Sequence, residues 1–589
     1  MVFQDFDHLS ERRKAERQRK FRKRVTISAI SAFVLIILIA AGVFGVVSQD
    51  NGEDSSKTSP SSGAPKGISR AQKMISTICG STAYKNSCND TLSAAAEKDP
   101  SIDEPREFLK ASIAATVVEL DKAIKKVESN DFNAPETEAA FKVCKKVIDD
   151  AKEELNRCVS QVGGKKRDLG MLVERAGELN NWLSAVMTYQ QTCIDGFPEG
   201  KMKSDMDKTL NETQQLTSNS LAMISQFSKY LSSIMNLTPE GTDHRGLLDS
   251  KDGVLPSWMS HQERKMLQNE ENNKIEPHLI VAKDGSGNFT TISEALAAVP
   301  QKYEGRFVIY VAAGIYEESV TVSKRMVNLT IIGEGSQKSI IVGRKSVADG
   351  INIYDTATFV AIGEGLFAKS MGFRNIAGPE KGEAVAARVQ SDRATFHNCR
   401  FEGYQNAVWV QTHRQFYRSC LITGTVDFIF GDAAAIFQNC QIMVRKPLDG
   451  QENTVTAQSR IDKFQTTGIV LQNCEIAPDE SLEPVKNSFR TYLGRPSKEY
   501  SRTIIMDSTL EDLIHPEGWL ALKGNYGLKT LYYAEFNNKG PGASTKGRVK
   551  WPGYKTIVKE EAIKYTVRPF LQGDYWINKT GAPVHFGLF

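Results

Sequence analysis

This sequence has little excess charge of either sign. Its 74 Lys and Arg against 70 Asp and Glu, over 589 residues, leave a formal net charge of +4. So small an imbalance does not suit a chain that must neutralise a phosphate backbone. No zinc-finger or RNA-binding signature is present, so nothing points to a nucleic-acid partner. CxxC pairs and Cys/His clusters are also missing, and the nine cysteines do not have the spacing of a metal site. Long helical patterns are absent from the second half, which argues there against an α/β barrel. What remains is an ordinary globular composition, 40% hydrophobic and 24% charged, in a chain long enough for two or more cores.

The N-terminus departs from that average. Residues 1–24 form a basic tail whose 11–24 stretch reads ERRKAERQRKFRKR, and residues 25–47 follow without a single charge. A helix of that length spans a hydrocarbon core of about 30 Å. The basic flank would stay cytoplasmic and the rest of the chain would lie in the lumen or outside. The expectation is a type II signal anchor. A cleaved signal peptide ending near Ser48 is the alternative, although the apolar run is long and the basic region large for one. Asn-x-Ser/Thr acceptors at Asn89, Asn211, Asn236, Asn288, Asn328 and Asn578 agree with secretion, as do cysteines able to form disulfides.

Residues 48–67, rich in Ser, Gly and Pro, read as a flexible linker. From 68 to 235 the apolar residues recur at three- and four-residue spacings, for example over 108–127, 141–162 and 179–197, which predicts an antiparallel helical bundle. Residues 236–275 are a polar linker carrying two basic tetrads, RGLL at 245–248 and RKML at 264–267. From 276 to 589 short β-branched runs alternate with Gly, Asn and Asp. Five segments there can be laid over one another: 366–375, 395–404, 416–425, 436–445 and 470–479. The last four carry Cys at the same place, at Cys399, Cys420, Cys440 and Cys474. Such a period means one solenoid coil per repeat with like side chains stacked inside, so a right-handed parallel β-helix is expected. Its cysteines are then core residues rather than nucleophiles.

Two resemblances follow from particular motifs. CGSTAYKNSC (79–88), Cys144 and WLSAVMTYQQTCIDGF (182–197) resemble the plant invertase and pectin methylesterase inhibitor domain. That resemblance implies disulfides Cys79–Cys88 and Cys144–Cys193, and a bundle able to bind other pectinesterases. Farther on, DGSGNFTTISEAL (284–296), GIYEE (314–318), GTVDFIFG (424–431), TAQSR (456–460) and YLGRP (492–496) resemble plant pectin methylesterases. In proteins of this two-domain type, basic tetrads such as RGLL and RKML are cut by subtilisin-like proteases, which implies a processed domain secreted to the cell wall.

The resemblance implies hydrolysis of methyl esters on galacturonate in pectin, with no metal or organic cofactor. An ionised Asp attacks the ester carbonyl and forms an acyl-enzyme. A second carboxyl group protonates the departing methoxide, then activates water. Amide side chains stabilise the oxyanion. An Arg orients the nucleophile and favours its charged form. Carried over position by position, the nucleophile falls on Asp427, the Arg on Arg495 and an oxyanion amide on Gln405. Four further positions are substituted. The acid/base Asp is Asn406, the Gln of the QAV motif is Glu383, and the Trp after YLGRP is Ser497. A substrate-contacting Thr falls on Ile353.

An amide cannot give up and recover a proton near neutral pH, so a factor of about 10²–10⁴ in rate is at stake at Asn406. An impaired esterase is the simplest reading. Tolerated variation is another. A third is exchange, with Glu383 acting as acid/base and Asn406 as oxyanion donor. A non-catalytic pectin-binding or esterase-inhibiting protein is the alternative from a different class.

Overall fold

Apolar residues spaced by three and four positions fold the first described stretch into helices. The computed structural model describes residues 70–128, 132, 134–162, 169–234 and 276–589. Six helices come first: α1 (Arg70–Cys79), α2 (Lys85–Lys98), α3 (Pro105–Glu128), α4 (Pro135–Val162), α5 (Leu169–Asp195) and α6 (Lys201–Ile234). Helix α4 shows the logic. Pro135 opens it, Glu136 and Glu138 place negative charge in its first turn, and Val143, Val147, Ile148, Ala151 and Leu155 fall on one buried stripe. The implied disulfides Cys79–Cys88 and Cys144–Cys193 both form, joining α1 to α2 and α4 to α5.

Residues 276–589 wind into three parallel sheets of 11, 8 and 7 strands, with every strand pairing its counterpart one coil away. Like residues stack, as expected from the repeat. Phe396, Tyr417 and Phe437 lie on one another with ring centroids 5.0 and 4.3 Å apart. Cys399, Cys420, Cys440 and Cys474 are free buried thiols in the same core. The residue before each cysteine (Asn398, Ser419, Asn439 and Asn473) turns the chain in the left-handed region. Asn and Asp tolerate this conformation better than other side chains, which accounts for the recurrent Asn-Cys step.

The seven-stranded sheet carries the candidate site. Its strands are β1 (Val320–Val322), β2 (Phe359–Ala361), β3 (Ala387–Val389), β4 (Val408–Val410), β5 (Ile429–Gly431), β6 (Asn453–Gln458) and β7 (Thr491–Gly494). Alternation sends Ala387, Val389, Val408, Val410 and Ile429 into the core, while Arg388, Trp409 and Phe430 lie side by side on the outer face.

One part of the expected fold class needs correction. Among the described residues no helix is long and apolar enough to cross a membrane. The longest described helices carry charges along their length, as in KMKSDMDKTLNETQQ of α6. The architecture described is therefore an all-α bundle followed by an all-β parallel helix, without a transmembrane helix. The span expected at 25–47 lies outside the described residues, as do the basic tail, the linkers at 48–67 and 236–275 with both tetrads, and Asn236.

Candidate active site

The substituted and retained positions sit at successive corners that lead into the site sheet. Backbone bonds from Ala384 N to Gln405 O (3.2 Å) and from Asn406 N to Val426 O (3.0 Å) lay Glu383, Gln405–Asn406 and Asp427 beside one another on three coils. Asn406 and Asp427 both have positive φ, 60° and 50°. Either Asn or Asp suits such a corner, and an Asn side chain, unlike Asp, has no carboxyl proton to transfer.

Asp427 is held from two sides. Arg495 Nε lies 2.8 Å from its Oδ1, and the Arg495 terminal nitrogen lies 2.7 Å from its Oδ2. This forked pairing fixes the plane of the carboxylate. Thr454, on β6, supplies the other hold. Its hydroxyl donates to Asp427 Oδ1 at 2.6 Å and accepts from the Asp427 amide at 2.8 Å. The Asp427 side chain keeps 17% exposure, so it is clamped yet reachable. Asn406 is 8% exposed, and its side-chain amide donates to the Asp427 carbonyl at 3.4 Å.

Ile353 and Ser497 are the positions expected to contact substrate. Ile353 packs into a small apolar cluster with Val360, Val385, Trp409 and Phe430 rather than presenting a hydroxyl. Ser497 is half-buried, and its amide donates to Gln458 O at 3.2 Å. Aromatic surface survives elsewhere. Trp409 stacks on Phe430 with centroids 5.1 Å apart, and the Tyr354 ring meets Trp409 edge-on at 6.0 Å.

The bundle lies directly on this sheet. Tyr354 belongs to the hydrophobic core of the bundle, and Trp409, Ile461 and Phe464 pack against that core. Several polar residues of α5 face the β-helix. Thr188 donates to Asp432 at 2.7 Å, Tyr189 and Asn181 contact His413 at 3.3 Å, and Glu178 pairs with Arg414 at 2.7 Å. Residues flanking the site are tied down as well, with Asn352 donating to Gly196 O at 3.0 Å and Lys498 pairing with Asp195 at 2.7 Å.

These interfacial charges are shaped by burial. Burial pushes the Asp432 carboxyl up to about 6, against the hydrogen bonds from Thr467, Thr188, Gln465 and Gln458. Burial works against the Arg414 charge, but Asp392 and Glu178 outweigh it and hold the guanidinium above its ordinary range. Asp392 is also buried, which raises its carboxyl, yet Arg414 overrides this and brings it down to about 2.

The comparisons decide the kinship of this arrangement. The family profile for pectinesterase matches residues 278–574, and that for plant invertase/pectin methylesterase inhibitor matches residues 73–223. The chain belongs to the pectinesterase family. "Probable pectinesterase/pectinesterase inhibitor 13" of Arabidopsis thaliana is 49% identical over 100% of both chains. "Pectinesterase 1" of Citrus sinensis is 39% identical over 87% of this chain and 88% of that one. Among solved structures, the pectin methylesterase from carrot is 46% identical, with a TM-score of 0.53 over 54% of this chain and 100% of that one. This member of the pectinesterase family thus joins an inhibitor-like bundle to a β-helix, as the motifs implied.

Thr454, Arg388, Trp409 and the Glu178–Arg414 pair went unnoticed in the sequence. Strand alternation in NTVTAQ and VWV marks Thr454 and Trp409 as members of a sheet face, but alternation carries no information on what lies opposite. Glu178 and Arg414 are 236 residues apart, and no local pattern links them.

Proposed function

We propose that the β-helix is a slow methylesterase acting on cell-wall homogalacturonan, and that its own bundle keeps it covered. The observation that carries this reading is the Asp427 carboxylate, clamped by Arg495 and Thr454 beside an aromatic face. Asp427 attacks the carbonyl carbon of the methyl ester, and the C–O bond to methoxide breaks to leave an acyl-enzyme anhydride. Methoxide departs as methanol once it gains a proton. Water then cleaves the anhydride and restores Asp427. Gln405 supplies the oxyanion donor.

The proton is the weak link. Asn406 supplies none, and Glu383 stands on the neighbouring coil as the one carboxyl among the carried-over positions that could take over. Impairment at Asn406 is the simpler account, because acid/base catalysis depends on strict placement. Contacts from the bundle to Tyr354, Trp409 and Lys498 support a silent state that lasts until the linker is cut, for which a subtilisin-like protease acting at RGLL or RKML is the proposed agent.

Methanol release from methylated pectin tests the reading. It would be measured on the full chain before and after cutting between the two domains, with Asp427→Asn as the zero. No methanol from the cut chain carrying Asn406→Asp would sink it.

A second reading, a non-catalytic pectin binder, is favoured by one observation: the Asn406 amide is engaged with the Asp427 carbonyl. Retention on pectin without turnover would point to it. In trans inhibition of other pectinesterases would require the bundle to leave its own β-helix first, since the face concerned is occupied.

A further inference from the structure

Arg388 is a buried cation with no anion paired to it among the described residues. It sits at the centre of β3 on the outer face of the site sheet and is 2% exposed. One terminal nitrogen donates to Gln411 Oε1 at 2.8 Å and to Gln390 Oε1 at 3.2 Å. Its guanidinium lies 3.6 Å from the centroid of the Tyr354 ring, and its Nε is buried with no partner. Among the described residues no carboxylate stands within ion-pair distance of it. The buried Arg414 and Arg548, by contrast, are each paired with carboxylates. Desolvated charge is costly unless it is paired, and a planar guanidinium fork matches a carboxylate.

The position relates this cation to the candidate reaction. Arg388 is in register with Trp409, and Trp409 with Phe430, three residues beyond Asp427. Strands about 4.8 Å apart place it about 10 Å from the coil of the nucleophile, along the same face a polysaccharide would follow. We propose that Arg388, with Gln390 and Gln411, is a subsite for the free carboxylate of a galacturonate unit next to the one being demethylated. The proposal rests on the pectin reading above and deepens it, because such a subsite favours chains that already carry demethylated units.

The bundle offers an internal counterpart. Asp150 of α4 accepts from Gln390 Nε2 at 2.7 Å, and the same Gln390 accepts from Arg388. A carboxylate of the bundle therefore stands one hydrogen-bonded amide away from the guanidinium. Free uronate should compete with it and loosen α4 from the sheet.

Hydrogen exchange on the full-length protein tests this. Oligogalacturonate in the free-acid form is titrated against the same oligomer fully methyl-esterified. The expected result is faster exchange across Pro135–Val162 and slower exchange over 387–390 with the free acid, and neither with the ester. Arg388→Gln should raise the half-maximal concentration at least tenfold, Arg388→Lys should fall between, and Asp150→Asn should lower it. Equal responses to acid and ester would overturn the subsite. So would an unchanged midpoint in a folded Arg388→Gln chain, or no response in both the wild type and Asp150→Asn. Methanol assayed with the ester after the chain is cut between its two domains separates the two readings. Methanol without a free-acid response fails the subsite alone, and a free-acid response without methanol fails the esterase reading alone.

Discussion

The Thr454 hydroxyl accepts from the Asp427 amide at 2.8 Å and donates to the Asp427 carboxylate at 2.6 Å. Because an amide N–H can only donate, the single hydroxyl proton is directed onto Oδ1. Thr454 therefore fixes both the left-handed corner at Asp427 and the orientation of its side chain. Hydrogen bonds to charged groups contribute about 1.5–3 kcal/mol. Thr454→Val should lower kcat for methanol release by roughly ten- to a hundredfold, while Thr454→Ser should recover most of it. Equal rates for Val and Ser would mean that only the packing of Thr454 matters.

Asn406→Asp restores a carboxyl group at a corner that accepts it without backbone change, since φ is already 60°. Methanol release should rise by about 10²–10⁴-fold. Glu383→Gln in the native background should have little effect if Asn406 simply impairs the enzyme. A further large loss in that variant would instead assign proton transfer to Glu383.

The Glu178–Arg414–Asp392 group joins the bundle to the β-helix, with N···O distances of 2.7 Å on both sides. Removing one member leaves buried charge uncompensated, at a cost of about 3–5 kcal/mol. Glu178→Ala should speed hydrogen exchange in α5 while leaving the stacked strands of the β-helix protected. Uniform loosening of both would show that this group stabilises the whole fold rather than the docking of the bundle.

Acid should undo the same group. The Asp392 carboxyl titrates at about 2 in the fold against a usual 3.8. A depressed folded value means that its stabilisation is present above about pH 4 and lost as the pH falls toward 2. The contribution is about 2 kcal/mol. Tm measured across this range should fall more steeply in the wild type than in Asp392→Asn, and the two curves should converge at the acid end. Parallel curves would rule the linkage out.

Much of the scaffold was legible because it repeats. The Asn-Cys corners, the stacked aromatics and the spacing from Cys399 to Cys440 are periodic in the chain, and a parallel helix turns sequence period into spatial stacking. Asp427 and Arg495 were legible as motif residues, and in the fold their side chains pair. Thr454 was not, because its role depends on a partner 27 residues away on the preceding coil.

Helix α5 marks the boundary between what the sequence determined and what the tertiary structure decided. Its apolar spacing is enough to make it a bundle helix. Its polar residues Asn181, Ser184 and Thr188 would belong to a solvated face if the bundle stood alone. In the fold they are buried, several of them bonded to His413, Thr466 and Asp432 of the β-helix. Sequence periodicity reports which side chains share a face. It cannot report whether that face meets water or a second domain, since contacts across hundreds of residues leave no local pattern. By itself, then, the sequence determined two domains, a repeating solenoid and the motif that carries Asp427. Only the packing of one domain on the other decided that the bundle lies on the site sheet, over an Arg388 that has no carboxylate partner among the described residues.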